Sequence, residues 1–383
     1  MSEYYDEYRS GNGRKRSRRG AVMLLLDVVM TVLAYLAVVA MVLTLCAPYV
    51  HPAGSRFFPI LGLGAPLTYV ATVLLALYWV IRWRWGRAGM LLVCFVAGLF
   101  RLGLYYKPEF RRAYETEEYG RDAFKVLSYN IRGFYYPKVG WQEGPIAGLL
   151  GEQEPDIICL QEFDHRKAAE SEAFSQLAGR YRMTLGNRTE EQNRAERGSQ
   201  QAILSRYRIL RSGTIIPRTS IWADLLVGED TVRVFNNHLH STEITVYDAK
   251  YLTTHRYVSD TAREEKIRSI LSRLCRNSVL RAEQVDTIRS VMAATPYRMI
   301  VCGDFNDTPM SYVYRRMARG LTDAFRSCGR GYSYTFQGFF NTLRIDYVLT
   351  SDGLEPLSYE VPQVDYSDHL PVVVRLRRND END

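Results

Sequence analysis

Hydrophobic and polar positions change their pattern twice along the chain. From Ala21 to about Leu45 the residues are apolar, with Asp27 the only charge. A helix of that length crosses a hydrocarbon core about 30 Å thick. Two more apolar runs follow, Pro59 to Ile81 and Ala88 to Tyr106; Arg101 interrupts the second but lies near its end, where it can snorkel to the interface. A secretory signal peptide has a shorter apolar core and is not followed by two such runs. The pattern predicts a polar tail over 1–20, a membrane region over 21–106 with helices at about 21–45, 59–81 and 88–106, and a linker over 107–120.

Beyond residue 121 the apolar runs shorten to strand length. Strands are expected at Phe124–Ser128, Asp156–Gln161, Gln201–Ser205, Arg208–Ile216, Ser220–Val227, Thr231–Asn236, Met299–Cys302, Arg344–Thr350 and Val372–Leu376. Between the sixth and seventh the period becomes helical: Ile267, Ile270, Leu271 and Leu274 recur at turn spacing, as do Val285, Ile288 and Met292. Residues 121–383 are therefore expected to form one domain of mixed strands and helices.

Charge sharpens the membrane reading. The net charge is +7, but residues 1–120 hold 14 Lys/Arg against 8 Asp/Glu, leaving the remainder at only +1. The basic excess follows the membrane segments and is a topology signal before it is a nucleic-acid footprint. Arg14 to Arg19 and the 82–87 loop place the N-terminus and that loop in the cytoplasm, and three spans then put residues 107–383 outside. Lys107, Arg111 and Arg112 oppose this order; with the third run lying in the interface, the domain would be cytoplasmic. The six cysteines form no CxxC pair, which argues against zinc or redox chemistry. Cys46, Cys94, Cys159 and Cys302 are expected as buried thiols, and a Cys275–Cys328 disulfide stays open.

Candidate chemistry gathers at the strand ends. The run Met299–Pro309 is a buried strand, a turn at Gly303, then Asp304, Asn306 and Asp307. Taken alone it is an ordinary Asp/Asn turn. Five other strand-like runs also end in or contain polar residues of catalytic type: Asn130, Glu162, His238, Asp346, and Asp368 with His369. A lone histidine or a helix-capping glutamate is commonplace; six such sites in one domain point to a shared centre. Carboxylates and amides are hard oxygen donors suited to Mg2+ or Mn2+. Neither a phosphate-binding GxxxxGK[ST] loop nor a GxSxG nucleophile turn is present.

The series Leu127-Ser128-Tyr129-Asn130-Ile131-Arg132, Asp156 through Gln161-Glu162, Gly198 through Leu204-Ser205-Arg206, Asn236-Asn237-His238-Leu239, Gly303-Asp304-Phe305-Asn306-Asp307, Arg344-Ile345-Asp346-Tyr347 and Ser367-Asp368-His369 resembles the endonuclease/exonuclease/phosphatase superfamily, in that family's order, over roughly 122–378. The resemblance implies an α/β fold, a four-layered α/β/β/α sandwich of two mixed sheets with helices outside. It implies metal-assisted hydrolysis of a phosphate ester without a covalent intermediate. Glu162 would be the principal metal ligand, with Asn130 and Asp368 beside it. Asp304 would orient or deprotonate water and Asn306 would hold the phosphate. Asp346 would pair with His369, which with His238 would stabilise charge on phosphorus. His240 departs from the glutamine common in sphingomyelinase-like members, and 241–292 is long, with Tyr247, Tyr251, His255 and Tyr257 ahead of its helices.

These expectations describe a membrane-tethered phosphodiesterase or phosphatase whose partners are the bilayer and a phospholipid headgroup, a sugar or inositol phosphate, or nucleic acid. A nuclease is the alternative; the near-neutral domain argues against tight DNA binding. A silent binding module is the other, and would be expected to lose Glu162, Asp304 or His369. No protein partner is indicated.

Overall fold

The computed structural model describes residues 2–108, 123–187, 199–242, 260–338 and 341–379, with side chains from residue 20 onward and, in the helix that begins at Asp260, from residue 264. Gly198 and the aromatic group at 247–257 lie outside the described residues. The chain divides into two compact units: 1–46 with 64–101, and 47–63 with 102–383.

Four helices open the chain: α1 (Ser2–Cys46), α2 (Phe57–Leu63), α3 (Ala65–Ile81) and α4 (Trp85–Leu102). In the first unit, α1, α3 and α4 share a core of Ala34, Ala37, Ala76, Trp79, Ala88 and Leu91. Small side chains let apolar helices approach closely. The lone charge of the first apolar run is paired: Asp27 accepts from Arg82 at 2.6 and 2.9 Å and from the Tyr78 hydroxyl at 2.7 Å. Gly20–Tyr49 and Trp85–Leu102 are long and apolar enough to cross a membrane, and α2 with α3 adds a third span if the broken pair is counted as one. The run expected over 59–81 breaks at Gly64, and Pro66 sits in the first turn of α3, where a missing N–H costs no helical bond.

The second unit is built on two six-stranded mixed sheets. Its strands are β1 (Ala123–Asn130), β2 (Ile157–Phe163), β3 (Arg182–Leu185), β4 (Gln200–Ser205), β5 (Arg208–Ile216), β6 (Ser220–Val227), β7 (Asp230–His238), β8 (Arg298–Asp304), β9 (Thr322–Asp323), β10 (Asp346–Thr350), β11 (Leu354–Glu360) and β12 (Val372–Arg378). The orders are β11-β12-β1-β2-β4-β3 and β9-β10-β8-β7-β6-β5. Each sheet contains one parallel pair, β1 with β2 and β7 with β8, among antiparallel neighbours.

Strand periodicity sorts the layers. Alternate residues of a strand face opposite sides, so Val126, Ile157, Cys159 and Ile203 of one sheet meet Ala223, Leu225, Val234, Ile300, Cys302 and Val348 of the other in a shared core. The intervening residues Leu127, Tyr129, Ile158 and Leu160 face out, onto Ile146 and Leu150 of α5 (Glu143–Gln153) and Phe174 and Leu177 of α7 (Glu172–Ala178). Between them α6 (His165–Glu170) starts at Asp164, whose carboxylate caps it by accepting from the Arg166 and Lys167 N–H groups.

Three helices follow β7 and β8: α8 (Asp260–Ala293), α9 (Tyr312–Met317) and α10 (Ala324–Cys328). In α8, Ile270, Leu274, Val285, Ile288 and Met292 are buried as their spacing predicts, whereas Ile267 and Leu271 stay more exposed. Tyr314 of α9 stacks on Tyr347 of β10 at 4.9 Å. All six cysteines are free, so Cys275 and Cys328 form no disulfide, and Cys46 and Cys94 are not buried. The Cys275 thiol donates to the Arg56 carbonyl at 3.1 Å.

Candidate active site

Parallel neighbours finish at the same sheet edge, and both parallel pairs bring polar residues there. Asn130 ends β1 opposite Gln161, one residue before Glu162 of β2. His238 ends β7 directly opposite Asp304 of β8. The β7–β8 contact depends on Gly303, whose φ is +126° and whose absent Cβ would stand 1.9 Å from the Asn237 carbonyl oxygen. No side chain fits there.

Asp304 is the hub. Its Oδ2 accepts from the Asn130 amide at 3.1 Å and the Asn306 amide at 3.0 Å, while Oδ1 accepts from the Asn306 backbone N–H at 2.8 Å. The Nε2 atoms of His369 and His238 lie 3.6 and 3.7 Å from the same Oδ2. Burial pushes the Asp304 carboxyl upward, against the charge of His369. On the far side of its ring, His369 Nδ1 meets Asp346 Oδ2 at 3.0 Å. Burial disfavours an imidazolium at His369, but Asp346 and Asp304 outweigh it and hold its pKa well above the ordinary value.

Glu162 completes the convergence. Its Oε1 accepts from the Asn130 amide at 3.2 Å and lies 3.6 Å from His238 Nε2. Glu162, Asn306 and Arg132 adopt left-handed backbone, with φ of +52°, +51° and +50°. Such conformations cost energy outside glycine and cluster at working sites. Asp368 is held by Arg132, Nε to Oδ2 at 3.2 Å, and the Arg132 N–H donates to Asn130 Oδ1 at 3.1 Å. That bond fixes the Asn130 amide so that its NH2 faces the two carboxylates. The Ser367 hydroxyl, donating to the Asn130 carbonyl at 2.8 Å, ties this turn to the end of β1.

All eight residues expected from the strand ends except Asn130 and Asp346 line one cavity of about 480 Å³; those two stand directly behind its surface, bonded to Asp304 and His369. His240 contributes its backbone, donating to Gln284 at 2.8 Å and accepting from Arg281 at 3.1 Å.

Several supporting residues carry no sequence signal. Arg281 of α8 is buried and pairs with Asp307 at 3.3 Å. Beneath the site, Gln161 donates to Asn236 at 2.7 Å across the two sheets, and Asn236 donates to the Leu160 and Ala202 carbonyls at 2.9 Å each. Arg344 and Asp323, both buried, pair at 3.0 Å just ahead of Asp346. Asn236 and Arg344 fall inside the strings quoted above, but nothing in their spacing separates support from chemistry.

The donor chemistry fits a hard divalent cation: Glu162, Asp304 and Asp368 supply carboxylate oxygen to one cavity, and of the three Glu162 is the most exposed. Asp304, Asp346 and His369 also place ligand atoms within 4.8 Å of one another. Both nitrogens of His369 are already directed at carboxylates, however, which describes a charge-relay pairing better than a coordination sphere.

The family model described as endonuclease/exonuclease/phosphatase matches residues 127–369, and a model described as a domain of unknown function matches residues 27–105. No curated protein matches the chain. An endonuclease/exonuclease/phosphatase family protein from Bacteroides thetaiotaomicron is similar in structure, with 18% identity, 67% of this chain and 98% of that chain covered, and a TM-score of 0.50. The human Nocturnin catalytic domain with bound sulfate aligns at 21% identity, 68% and 96% coverage and a TM-score of 0.47. A Bacteroides thetaiotaomicron mannosyl-6-phosphatase aligns at 19% identity, 66% and 99% coverage and a TM-score of 0.47. With its two mixed sheets, its strand-end residues and a family match spanning 127–369, the chain belongs to the endonuclease/exonuclease/phosphatase family, whose members are hydrolases of phosphate esters.

Proposed function

We propose that the protein is a membrane-tethered, divalent-metal-dependent phosphate-ester hydrolase that works by direct attack of water. The observation that carries this reading is the convergence on Asp304 Oδ2, a buried carboxylate held by two amides and faced by two imidazoles. A carboxylate so placed can orient water and take its proton. His238 and His369 can donate to the phosphoryl oxygens, and Asp346 keeps His369 protonated and aligned for this. Asn306, its amide donating to Asp304 Oδ2 and to the Leu239 carbonyl, fixes the Asp304 carboxylate at the cavity wall; a role in holding the phosphate would need that amide to turn.

Glu162 would hold Mg2+ or Mn2+, with Asn130 and Asp368 flanking it. The cation supplies charge neutralisation at the phosphoryl oxygens. The basic tail and the 82–87 loop support a cytoplasmic N-terminus and, with three spans, a catalytic unit outside the cytoplasm. A C-terminal reporter active only on one side of the membrane tests this; activity in the cytoplasm would overturn the topology.

The hydrolase reading is tested with the full-length protein in nanodiscs. Hydrolysis of p-nitrophenyl phosphodiesters should require Mg2+ or Mn2+, stop with EDTA and be lost in Asp304→Asn. Undiminished turnover in that variant would sink the site assignment. Strong cleavage of plasmid DNA, with no turnover of small esters, would favour a nuclease.

A further inference from the structure

We propose that residues 57–63 form a specificity wall of the catalytic cavity and select phosphate esters that carry an apolar chain beside the phosphate. This rests on the hydrolase reading above. Packing is the starting point. Although α2 runs into an apolar helix, residues 47–63 belong with the catalytic unit. Gly62 approaches the loop after β8 so closely that a Cβ would meet the Met310 carbonyl oxygen at 2.5 Å. The Thr308 hydroxyl donates to the Gly62 carbonyl at 3.2 Å. Upstream, the Arg56 carbonyl accepts from Cys275 of α8, His51 stands edge-on to Tyr312 of α9 at 4.9 Å, and Arg315 of α9 lies over Tyr49 at 4.1 Å. The segment is thus fastened along its length to elements that carry the site.

Its placement in the cavity is specific. Pro59 and Leu63 are four residues apart on α2 and share one face. Both line the cavity that contains Glu162, His238 and Asp304, where Leu274, Leu343 and Ile345 extend the apolar surface. Arg132 and Lys138 line the same cavity and suit an anionic group. An apolar chain covering this wall releases water from it. A sugar or nucleoside in the same place would strip water from hydroxyls with no polar partner on Pro59 or Leu63. The cavity is therefore polar at the phosphate and apolar along Pro59, Leu63, Leu274, Leu343 and Ile345, with Ser241, Thr242 and Ser278 also in its lining. Which amphiphile occupies it is set by the bond cleaved; the shared chemistry is an alkyl-bearing phosphate ester.

The test compares kcat/KM for the methyl and hexyl esters of p-nitrophenyl phosphate, both water-soluble, with the full-length protein in nanodiscs. The wild type should prefer the hexyl ester at least about tenfold, a fraction of what burying five methylenes can provide. Leu63→Asn should bring the ratio to within about threefold of unity, because the chain then lies on an amide. Pro59→Ser is the second variant and carries the same test if Leu63→Asn loses its near-UV circular dichroism. A wild-type ratio near unity, or a hexyl preference that survives in both variants, overturns the specificity wall. In either case turnover that is lost in Asp304→Asn leaves the hydrolase reading intact, whereas absence of turnover on both esters overturns the two together.

Discussion

The polar and apolar walls of the cavity are made in different ways. The polar wall comes from the ends of strands in both sheets, and its side chains are locked: Asp304 has three hydrogen bonds, and His369 is clamped between two carboxylates. The apolar wall comes from α2, α8 and the approach to β10, remote in sequence, where Pro59, Leu63, Leu274, Leu343 and Ile345 offer apolar surface rather than fixed polar groups. Chemistry at a phosphate tolerates little displacement of its groups, and under the proposed function it would sit on strand ends braced by both sheets. Recognition of an apolar chain tolerates more, and can be built from a segment attached from outside the sandwich.

If that division is right, substitutions in the polar wall act on kcat and those in the apolar wall on KM for particular esters. The largest effect is expected for Asp304→Asn, which keeps the volume and removes the proton acceptor. A fall in kcat of about 10³-fold is expected, within the range for a lost general base, with KM little changed and the thermal midpoint retained. Steady-state kinetics and thermal unfolding check it. Asp346→Asn should come next, at about 10²-fold in kcat, because His369 keeps its place but loses the buried charge that holds its proton. A larger loss in Asp346→Asn than in Asp304→Asn would move the centre of the chemistry from Asp304 to the His369 pair.

The polar wall was legible because strand ends are visible in sequence: an apolar run stops, and Asn130, Glu162, His238 or Asp304 follows. The two-sheet architecture followed from the resemblance, and alternation along β1 and β2 sorts inner from outer faces as a period of two requires. The apolar wall was not legible. Pro59 and Leu63 lie in a run whose composition is that of a transmembrane helix, and it takes the break at Gly64 and contacts such as those of Gly62 with Met310 and Thr308 to tie them to the catalytic unit. Hydrophobicity says that a residue leaves water, not where it goes. The Gln161–Asn236 bridge was hidden for the opposite reason: polar residues in strands are expected at surfaces, and these are buried between two sheets.

That bridge gives the third prediction, a structural one that sets the polar wall's rigidity apart from its chemistry. Asn236→Ala removes one of the three acceptors of the Gln161 amide, which keeps the Ser128 hydroxyl and the Cys159 carbonyl, and takes the buried side-chain donor from the Leu160 and Ala202 carbonyls. Orphaned buried groups cost about 1–3 kcal/mol, so the thermal midpoint should fall by about 3–10 °C. Calorimetry measures this, and kcat at a temperature well below the transition should fall by less than about tenfold. A collapse of kcat with an unchanged midpoint would mean that the bridge takes part in catalysis and does not merely join the sheets.

The smallest effect tests the apolar wall from the side that belongs to the sandwich. Leu343 lines the cavity just ahead of β10, and its backbone carbonyl, not its side chain, accepts from the Thr335 and Phe336 N–H groups. Leu343→Ser should therefore leave the local backbone bonding intact. It removes apolar surface from one point of the wall, so KM for a hexyl ester should rise about three- to fivefold, the equivalent of losing roughly one methylene of burial. KM for a methyl ester and kcat for both should change less. An equal rise in KM for the two esters would mean that Leu343 touches the common phosphate end. A fall in kcat for both would mean that the two walls are coupled through Asp346, three residues on, and that the division between fixed chemistry and adjustable recognition fails at this edge.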